Sequence, residues 1–296
     1  MPALDVPPGI EGIVGLTELP DERWIERWDR IVLPEGVKDR LLNYLLFALG
    51  NRGRVSGVGL PIHGLLILAG PPGTGKTTLA GGLADQAARA LGASLLYVDI
   101  DPHAFPSQLL GESQRTVARL FERTLPDLAR RGRPMVVLLD EVESLAVSRT
   151  GASLETNPVD VHRATDAVLA GIDRVAADCP NVTFVATTNH IAGVDTAFLS
   201  RADIVEDVGL PGVDAVRAIL QDTLAELIEV DRIDARRLSA VAEACVDRRL
   251  DARQVRKLVL RAVTARRETA LNPALLRIED VSDALSGDSD AVTSPR

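Results

Sequence analysis

Short, largely apolar runs alternate along this chain with longer stretches in which apolar residues recur every three or four positions. Leu65–Ala69 is the apolar run expected of a parallel strand covered on both faces, Met135–Leu139 is a second wholly apolar run, and Ser94–Ile100, Val182–Thr187 and Ile204–Val208 also read as strands. Between them Thr77–Leu91, Glu112–Arg131 and Pro158–Asp178 carry helical spacing, and Asp195–Leu199 suggests a shorter turn of helix. Upstream, Gly36–Leu49 predicts an amphipathic helix with Val37, Leu41, Leu42, Leu45, Leu46 and Leu49 inward. After the Pro211-Gly212 pair the strand signal stops, and Val213–Ile228, Ala235–Val246, Asp251–Glu268 and Ile278–Leu285 all read as helices. Strands interleaved with helices, then helices alone, predict an α/β domain with a five-stranded parallel sheet followed by a small helical lid. The expected boundaries are an N-terminal arm over 1–27, a large domain over 28–211, a lid over 212–286 and a disordered tail over 287–296. Within the arm, Met1–Leu19 shows no sustained period and reads as loosely held, and Pro20–Arg27 begins a short helix.

Composition narrows the class. With 296 residues and 46% hydrophobic content the chain can bury a large core. Its apolar runs are far too short to cross a bilayer, and Met1–Glu11 lacks the basic start and apolar core of a signal peptide. Cys179 and Cys245 stand in unrelated contexts, so neither a disulfide framework nor a zinc site is indicated, and a cytoplasmic location without a membrane partner is expected. His63, His103, His162 and His190 lack metal spacing. A net charge of -9 argues against a protein that coats nucleic acid. The basic run Arg248, Arg249, Arg253, Arg256, Lys257 and Arg261 has no interleaved aromatics, so no nucleic-acid partner is expected. Only Lys38, Lys76 and Lys257 are lysines among 33 basic residues, a bias that fits a GC-rich, bacterial coding sequence.

The chemistry gathers where strands end. Gly70-Pro71-Pro72-Gly73-Thr74-Gly75-Lys76-Thr77 fits G-x-x-x-x-G-K-[ST] at every fixed position and lies between a predicted strand and a predicted helix. Glycines there let successive backbone N–H groups turn toward phosphate oxygens, the helix N-terminus adds positive potential, Lys76 adds a charge and Thr77 can ligate Mg²⁺. A Gly/Pro turn before a helix is the bland alternative, and the agreement of strand, loop and helix disfavours it. Met135–Leu139 delivers Asp140 and Glu141 at its C-terminal end. In a P-loop nucleotidase an acidic residue so placed sits beside the metal, and its neighbour polarises the attacking water. Asn189, just past Val182–Thr187, either bonds that water or the γ-phosphate or is an ordinary turn residue.

The phosphate loop, VVLLDEVESL, Ala186-Thr187-Thr188-Asn189 and Ser200-Arg201-Ala202-Asp203 together resemble an AAA+ P-loop ATPase. DEVES at Asp140–Ser144, DAVLAGID at Asp166–Asp173, the run Arg201–Ile204 and LDARQVRKL at Leu250–Leu258 resemble, more narrowly, the pachytene-checkpoint remodellers of HORMA-domain proteins. The resemblance covers about Trp28–Leu285 and lacks that family's N-terminal substrate-recognition domain, as short bacterial members do. It implies ATP with Mg²⁺, a homo-oligomer of hexameric type, and a HORMA-domain partner, alone or with a nucleotidyltransferase, in a nucleotide second-messenger anti-phage defence system. The competing class is a nucleic-acid-handling AAA+ ATPase of clamp-loader or initiator type, and a third is an ATP-gated scaffold without turnover. Carried over by position, Gly70–Thr77 with Thr78 hold nucleotide, Thr77 and Asp140 hold the metal, Glu141 is the catalytic base and Asn189 the sensor. Arg201 matches an arginine finger that acts on the neighbouring subunit, and Arg253 a lid residue that reaches its own nucleotide, with Ala252 where the family has Gly. The first pore loop falls on Gln108, Leu109, Leu110 and Gly111, where leucines replace an aromatic grip. Those leucines either face a channel or are simply buried at the start of a helix.

Overall fold

The computed structural model describes residues 12–55, 62–100, 112–130, 132–144, 158–229 and 233–291. Its backbone forms two compact units. Within the described residues the first holds 12–28, Glu35–Gly70 and Lys76–Val208, and the second holds Asp29–Pro34, Pro71–Gly75 and the chain from Gly209 onward.

The first unit is built on a six-stranded sheet: β1 (Ile13–Leu19), β2 (Leu65–Ala69), β3 (Leu95–Ile100), β4 (Met135–Leu139), β5 (Val182–Thr188) and β6 (Ile204–Asp207). In space the order is β1-β3-β4-β5-β2-β6. Five strands run parallel, and their apolar runs are buried along their length in β2, β4 and β5, as two-sided coverage requires. The sixth strand corrects the expectation of a loosely held Met1–Leu19. Residues 13–19 pair antiparallel with β3, Leu16 facing Val98 and Leu19 facing Leu95. A register shift between Ile13 and Gly15 breaks the alternation by which a strand is recognised from sequence, so buried residues fall at 13, 16 and 19.

The helices of this unit are α1 (Arg23–Asp29), α2 (Val37–Val55), α3 (Lys76–Leu91), α4 (Glu112–Arg119), α5 (Leu125–Ala129), α6 (Pro158–Asp178) and α7 (Thr196–Leu199). Between α4 and α5, Leu120–Thr124 widens to a π turn in which the Leu125 N–H reaches the Leu120 carbonyl. Pro126, one residue on, has no N–H to continue an α-helical ladder, which accounts for the widening. The chain ahead of α2 is anchored by its tryptophans. A Cβ on Gly81 would lie 2.1 Å from the Trp24 ring and one on Gly82 2.8 Å from Trp28, so α3 accepts both indoles only because it has no side chain at those two places. Buried Asp85 accepts from the Asp21 N–H at 2.7 Å and from Arg89 Nε at 2.7 Å, which satisfies its carboxylate where it sits.

The second unit is helical: α8 (Val213–Ala225), α9 (Ala235–Asp247), α10 (Ala252–Thr264), α11 (Arg267–Leu271) and α12 (Ile278–Ala291). Leu220, Leu224, Ala242, Cys245, Leu258 and Val281 form its fully buried centre. The single helix expected over Asp251–Glu268 is two, because Arg266 takes extended backbone angles. The tail expected over 287–296 is helical as far as Ala291.

Candidate nucleotide site

Strand register decides which side chains meet. Ala69 of β2 lies opposite Thr188 of β5, and Leu139 of β4 lies opposite Ala186. The segments that follow these three strands therefore leave the sheet side by side, at the carboxyl edge where open α/β sheets bind ligands. They carry Gly70 and Lys76, Asp140 and Glu141, and Asn189.

Gly70 has φ 151°, and a Cβ there would lie 2.1 Å from the Val208 carbonyl oxygen. Any other residue would collide with backbone, so the first glycine of the motif is required by close approach as well as by its dihedral. Pro71 and Pro72 are exposed, and Thr74 Oγ1 closes the loop on the Pro71 carbonyl at 3.0 Å. Gly73 and Gly75 have φ 81° and 91°. Lys76 and Thr77 open α3, and half-buried Thr78 follows.

Lys76 is buried. Its Nζ donates to the Gly70 carbonyl at 2.8 Å and to Asn189 Oδ1 at 2.9 Å. Burial pushes the ammonium below the usual lysine range, against the attraction of Glu143, Asp140 and Glu141. Thr77 Oγ1 donates to Asp140 Oδ1 at 2.9 Å, and Thr187 Oγ1 donates to the same oxygen at 2.5 Å. The Glu141 N–H closes this knot by donating to Thr187 Oγ1 at 3.0 Å. Glu141 has φ 50°, a left-handed conformation that costs a non-glycine residue about 1–3 kcal/mol and that turns the main chain directly after Asp140. Asn189 Nδ2 donates to Glu141 Oε1 at 3.1 Å, and the Asn189 N–H to Glu143 Oε1 at 3.0 Å.

A threonine hydroxyl and a carboxylate within hydrogen-bond distance at the mouth of a glycine loop make a hard, oxygen-only donor set. That is the chemistry of a Mg²⁺ ion brought by a phosphate. Glycine dihedrals, a lysine across the loop and an exposed Glu141 carboxylate fit a nucleotide triphosphate with its metal.

Arg201 shares no hydrogen bond with this cluster. Asp195 caps α7, and Arg201 follows it with its guanidinium held in a fork: Nε to Asp173 Oδ1 at 2.8 Å, Nη2 to Asp173 Oδ2 at 2.9 Å, Nη1 to the Ala197 carbonyl at 2.8 Å. Two residues on, Asp203 accepts from the N–H groups of His63, Gly64 and Leu65 and from Tyr44 Oη, fixing this turn to the start of β2. In the second unit Arg253 is exposed at the second position of α10, whose start is closed by a capping box between Asp251 and Gln254. In the same unit Gly73 leaves room for Asp251, since a Cβ would come within 2.6 Å of its carboxyl group. Gln108, Leu109, Leu110 and Gly111 lie outside the described residues.

Thr187 and Glu143 join the site, and Asp173 holds Arg201, although sequence reasoning gave none of them a role. Glu143 and Asp173 stand inside DEVES and DAVLAGID, two of the segments that carry the family resemblance, and Thr187 stands two residues before Asn189. A hydroxyl or carboxylate beside a recognised motif is the available signal.

The family of ATPases associated with various cellular activities (AAA) matches residues 66–210. CD-NTase-associated protein 6 of Pseudomonas aeruginosa is 42% identical over 281 residues, covering 93% of this chain and 91% of that protein. The pachytene checkpoint protein 2 homolog of Danio rerio is 32% identical over 206 residues, which are 68% of this chain and 48% of that protein, so the chain spans about half the length of such relatives. Among solved structures, one described as the E. coli MS115-1 HORMA:CdnC:Trip13 complex has a chain with TM-score 0.81 at 20% identity, covering 94% of this chain and 96% of that one. C. elegans PCH-2 has TM-score 0.76 at 24% identity, covering 95% and 76%. With the strand order, the phosphate loop and these likenesses together, the chain belongs to the AAA ATPase family, in the group of CD-NTase-associated protein 6 and the pachytene checkpoint protein 2 homologs.

Proposed function

We propose that the chain hydrolyses ATP within a hexameric ring and uses the energy to pull open a HORMA-domain partner, regulating a nucleotide second-messenger anti-phage defence system in the cytoplasm. The observation that carries the chemical half is the single hydrogen-bonded cluster of Lys76, Thr77, Asp140, Glu141, Thr187 and Asn189. The partner half rests on identity with CD-NTase-associated protein 6 along nearly all of both chains, and a fold shared with a chain from a HORMA:CdnC:Trip13 complex accords with it. The absence, among the described residues, of a helix long and apolar enough to cross a membrane fits the location.

In this reading Gly70–Thr78 hold the triphosphate, with Lys76 keeping Asn189 and exchanging the Gly70 carbonyl for phosphate oxygens. Thr77 and Asp140 hold Mg²⁺, which when bound neutralises charge on the β- and γ-phosphates. Glu141 takes the proton of the attacking water, and Asn189 keeps Glu141 aimed. Arg201 exchanges Asp173 for the γ-phosphate of the neighbouring subunit, so turnover needs the ring, and Arg253 contacts the nucleotide of its own chain. Gln108, Leu109, Leu110 and Gly111 grip the partner in the pore.

The test is Glu141→Gln. It keeps shape and the metal ligand Asp140 but removes the base, so turnover falls by about a hundredfold or more while ATP affinity stays. ATP-loaded Glu141→Gln protein then retains a HORMA-domain protein from the native host, and Lys76→Ala protein does not. Near-normal hydrolysis by Glu141→Gln overturns the chemistry, and a trap that holds ATP but no HORMA-domain protein overturns the partner.

A further inference from the structure

Asn189 bridges opposite charges: its Oδ1 accepts from Lys76 and its Nδ2 donates to Glu141. An amide can serve both partners only if its main chain is held still, because a small rotation gains one bond and loses the other. The sheet does not supply that restraint. Thr188 is the last residue of β5 paired with β2, and its carbonyl accepts from the Gly70 N–H at 3.1 Å, so Asn189 stands one residue beyond the ladder. Its N–H goes instead to Glu143 Oε1 at 3.0 Å.

Glu143 is carried by the short 3₁₀ turn Val142–Ser144, which buried Val142 fixes to the core. Its second oxygen, Oε2, is buried without a hydrogen-bond partner among the described residues. A desolvated carboxylate oxygen is unfavourable, and the attraction between Glu143 and Lys76 is set against that cost. The carboxylate also provides an acceptor at the point where the ladder runs out.

Resting on the ATPase reading above, we infer that Glu143 is a positioning residue for hydrolysis, which acts through Asn189 by fixing the main chain from which that amide spans Lys76 and Glu141. Reach, more than charge, is then what position 143 must supply. Glutamine keeps the reach and an acceptor oxygen without the desolvated charge. Aspartate keeps the charge and is one methylene short.

The experiment measures ATP turnover, nucleotide affinity and thermal melting of the full chain in its assembled form for Glu143→Gln, Glu143→Asp, Asn189→Ala and the double variant Glu143→Asp/Asn189→Ala, with Glu141→Gln as reference. The expected order is a turnover within about threefold of the parent for Glu143→Gln and about tenfold or more below it for Glu143→Asp, with ATP affinity in both within about threefold. Because Glu143 acts through Asn189, the double variant is no slower than Asn189→Ala alone. Turnover retained better by Glu143→Asp than by Glu143→Gln overturns the inference, since charge is then what matters. Losses that multiply in the double variant overturn it too, since Glu143 then acts by another route. In both cases an inactive Glu141→Gln reference leaves the ATPase reading standing, whereas an active one removes that reading first.

Discussion

The two units keep their polar side chains in opposite ways. In the first, Arg52, Lys76, Asp85, Thr187, Thr188 and Asp195 are all buried, and Lys76 and Thr187 are knitted into one cluster at the strand ends. In the second, Thr269 is the buried polar side chain among the described residues. Charges there meet on the surface, as Arg266 with Asp280 at 2.6 Å and Arg30 with Glu226 at 2.9 Å. Such exposed pairs contribute about 0–1 kcal/mol each, so the helical unit is held by its apolar centre and tolerates change outside it. Buried polar groups make the first unit intolerant in return for placing charge with ångström accuracy.

Arg201 makes the largest test of that division, because it belongs to the first unit yet is proposed to act outside its own chain. Arg201→Ala and Lys76→Ala proteins are each expected to lose turnover by about a hundredfold or more. Mixed in one ring, they regain activity at interfaces that pair an intact Lys76 site with an intact Arg201. The measurement is ATPase rate against mixing ratio, with mixed assembly verified by subunit exchange. A rate that stays flat in verified mixed rings refutes action between subunits. The Asp173 fork, which raises the guanidinium's affinity for its proton, then has only a structural meaning.

Thr187 gives an effect of middle size. Its hydroxyl donates to Asp140 Oδ1 and accepts from the Glu141 N–H, so Thr187→Val removes both bonds and takes from the part-buried Glu141 N–H its Thr187 acceptor. Loss of stability of about 1–3 kcal/mol follows, together with turnover lowered about tenfold to a hundredfold as Asp140 and Glu141 lose their common anchor. Melting and ATPase assays on one preparation check both numbers. Full activity with normal melting would show that the knot is incidental.

How much of this was legible beforehand follows the same division. β2, β4 and β5 were readable because burial on both faces writes itself as a largely apolar run, and Gly70–Thr77 because its function needs fixed spacing. β1 was not readable: its register shift removes the alternation, and its apolar residues face a core made by β3, some eighty residues on. Asp140, Glu141 and Asn189 could be singled out because each follows an apolar run, and the register of β2, β4 and β5 brings the segments that carry them together. Thr187 and Glu143 could not, since a hydroxyl within a strand and an acid within a turn acquire a role only from neighbours that register supplies. Arg201 needed the family resemblance, for a lone arginine after a short helix has no local signature, and its partner Asp173 lies twenty-eight positions upstream.

The smallest expected effect lies on the same strand as Thr187 and has the opposite sign. Thr183 is fully buried in β5, opposite Val136 of β4, and its Oγ1 has no hydrogen-bond partner among the described residues. Its hydroxyl therefore carries a desolvation cost with nothing set against it. Valine has nearly the same shape and replaces that hydroxyl with a methyl group suited to the buried sheet face that position 183 shares with Val136 and Val185. Thr183→Val is expected to stabilise the chain by about 1 kcal/mol, a rise in melting temperature of about 2–4 °C for a unit of this size. ATP turnover should not change, because position 183 faces away from the strand end by four residues of ladder. A melt that falls by a similar amount would mean that the hydroxyl is satisfied by a buried water. Thr183 at the base of the sheet would then be paired, as Thr187 is at its catalytic edge.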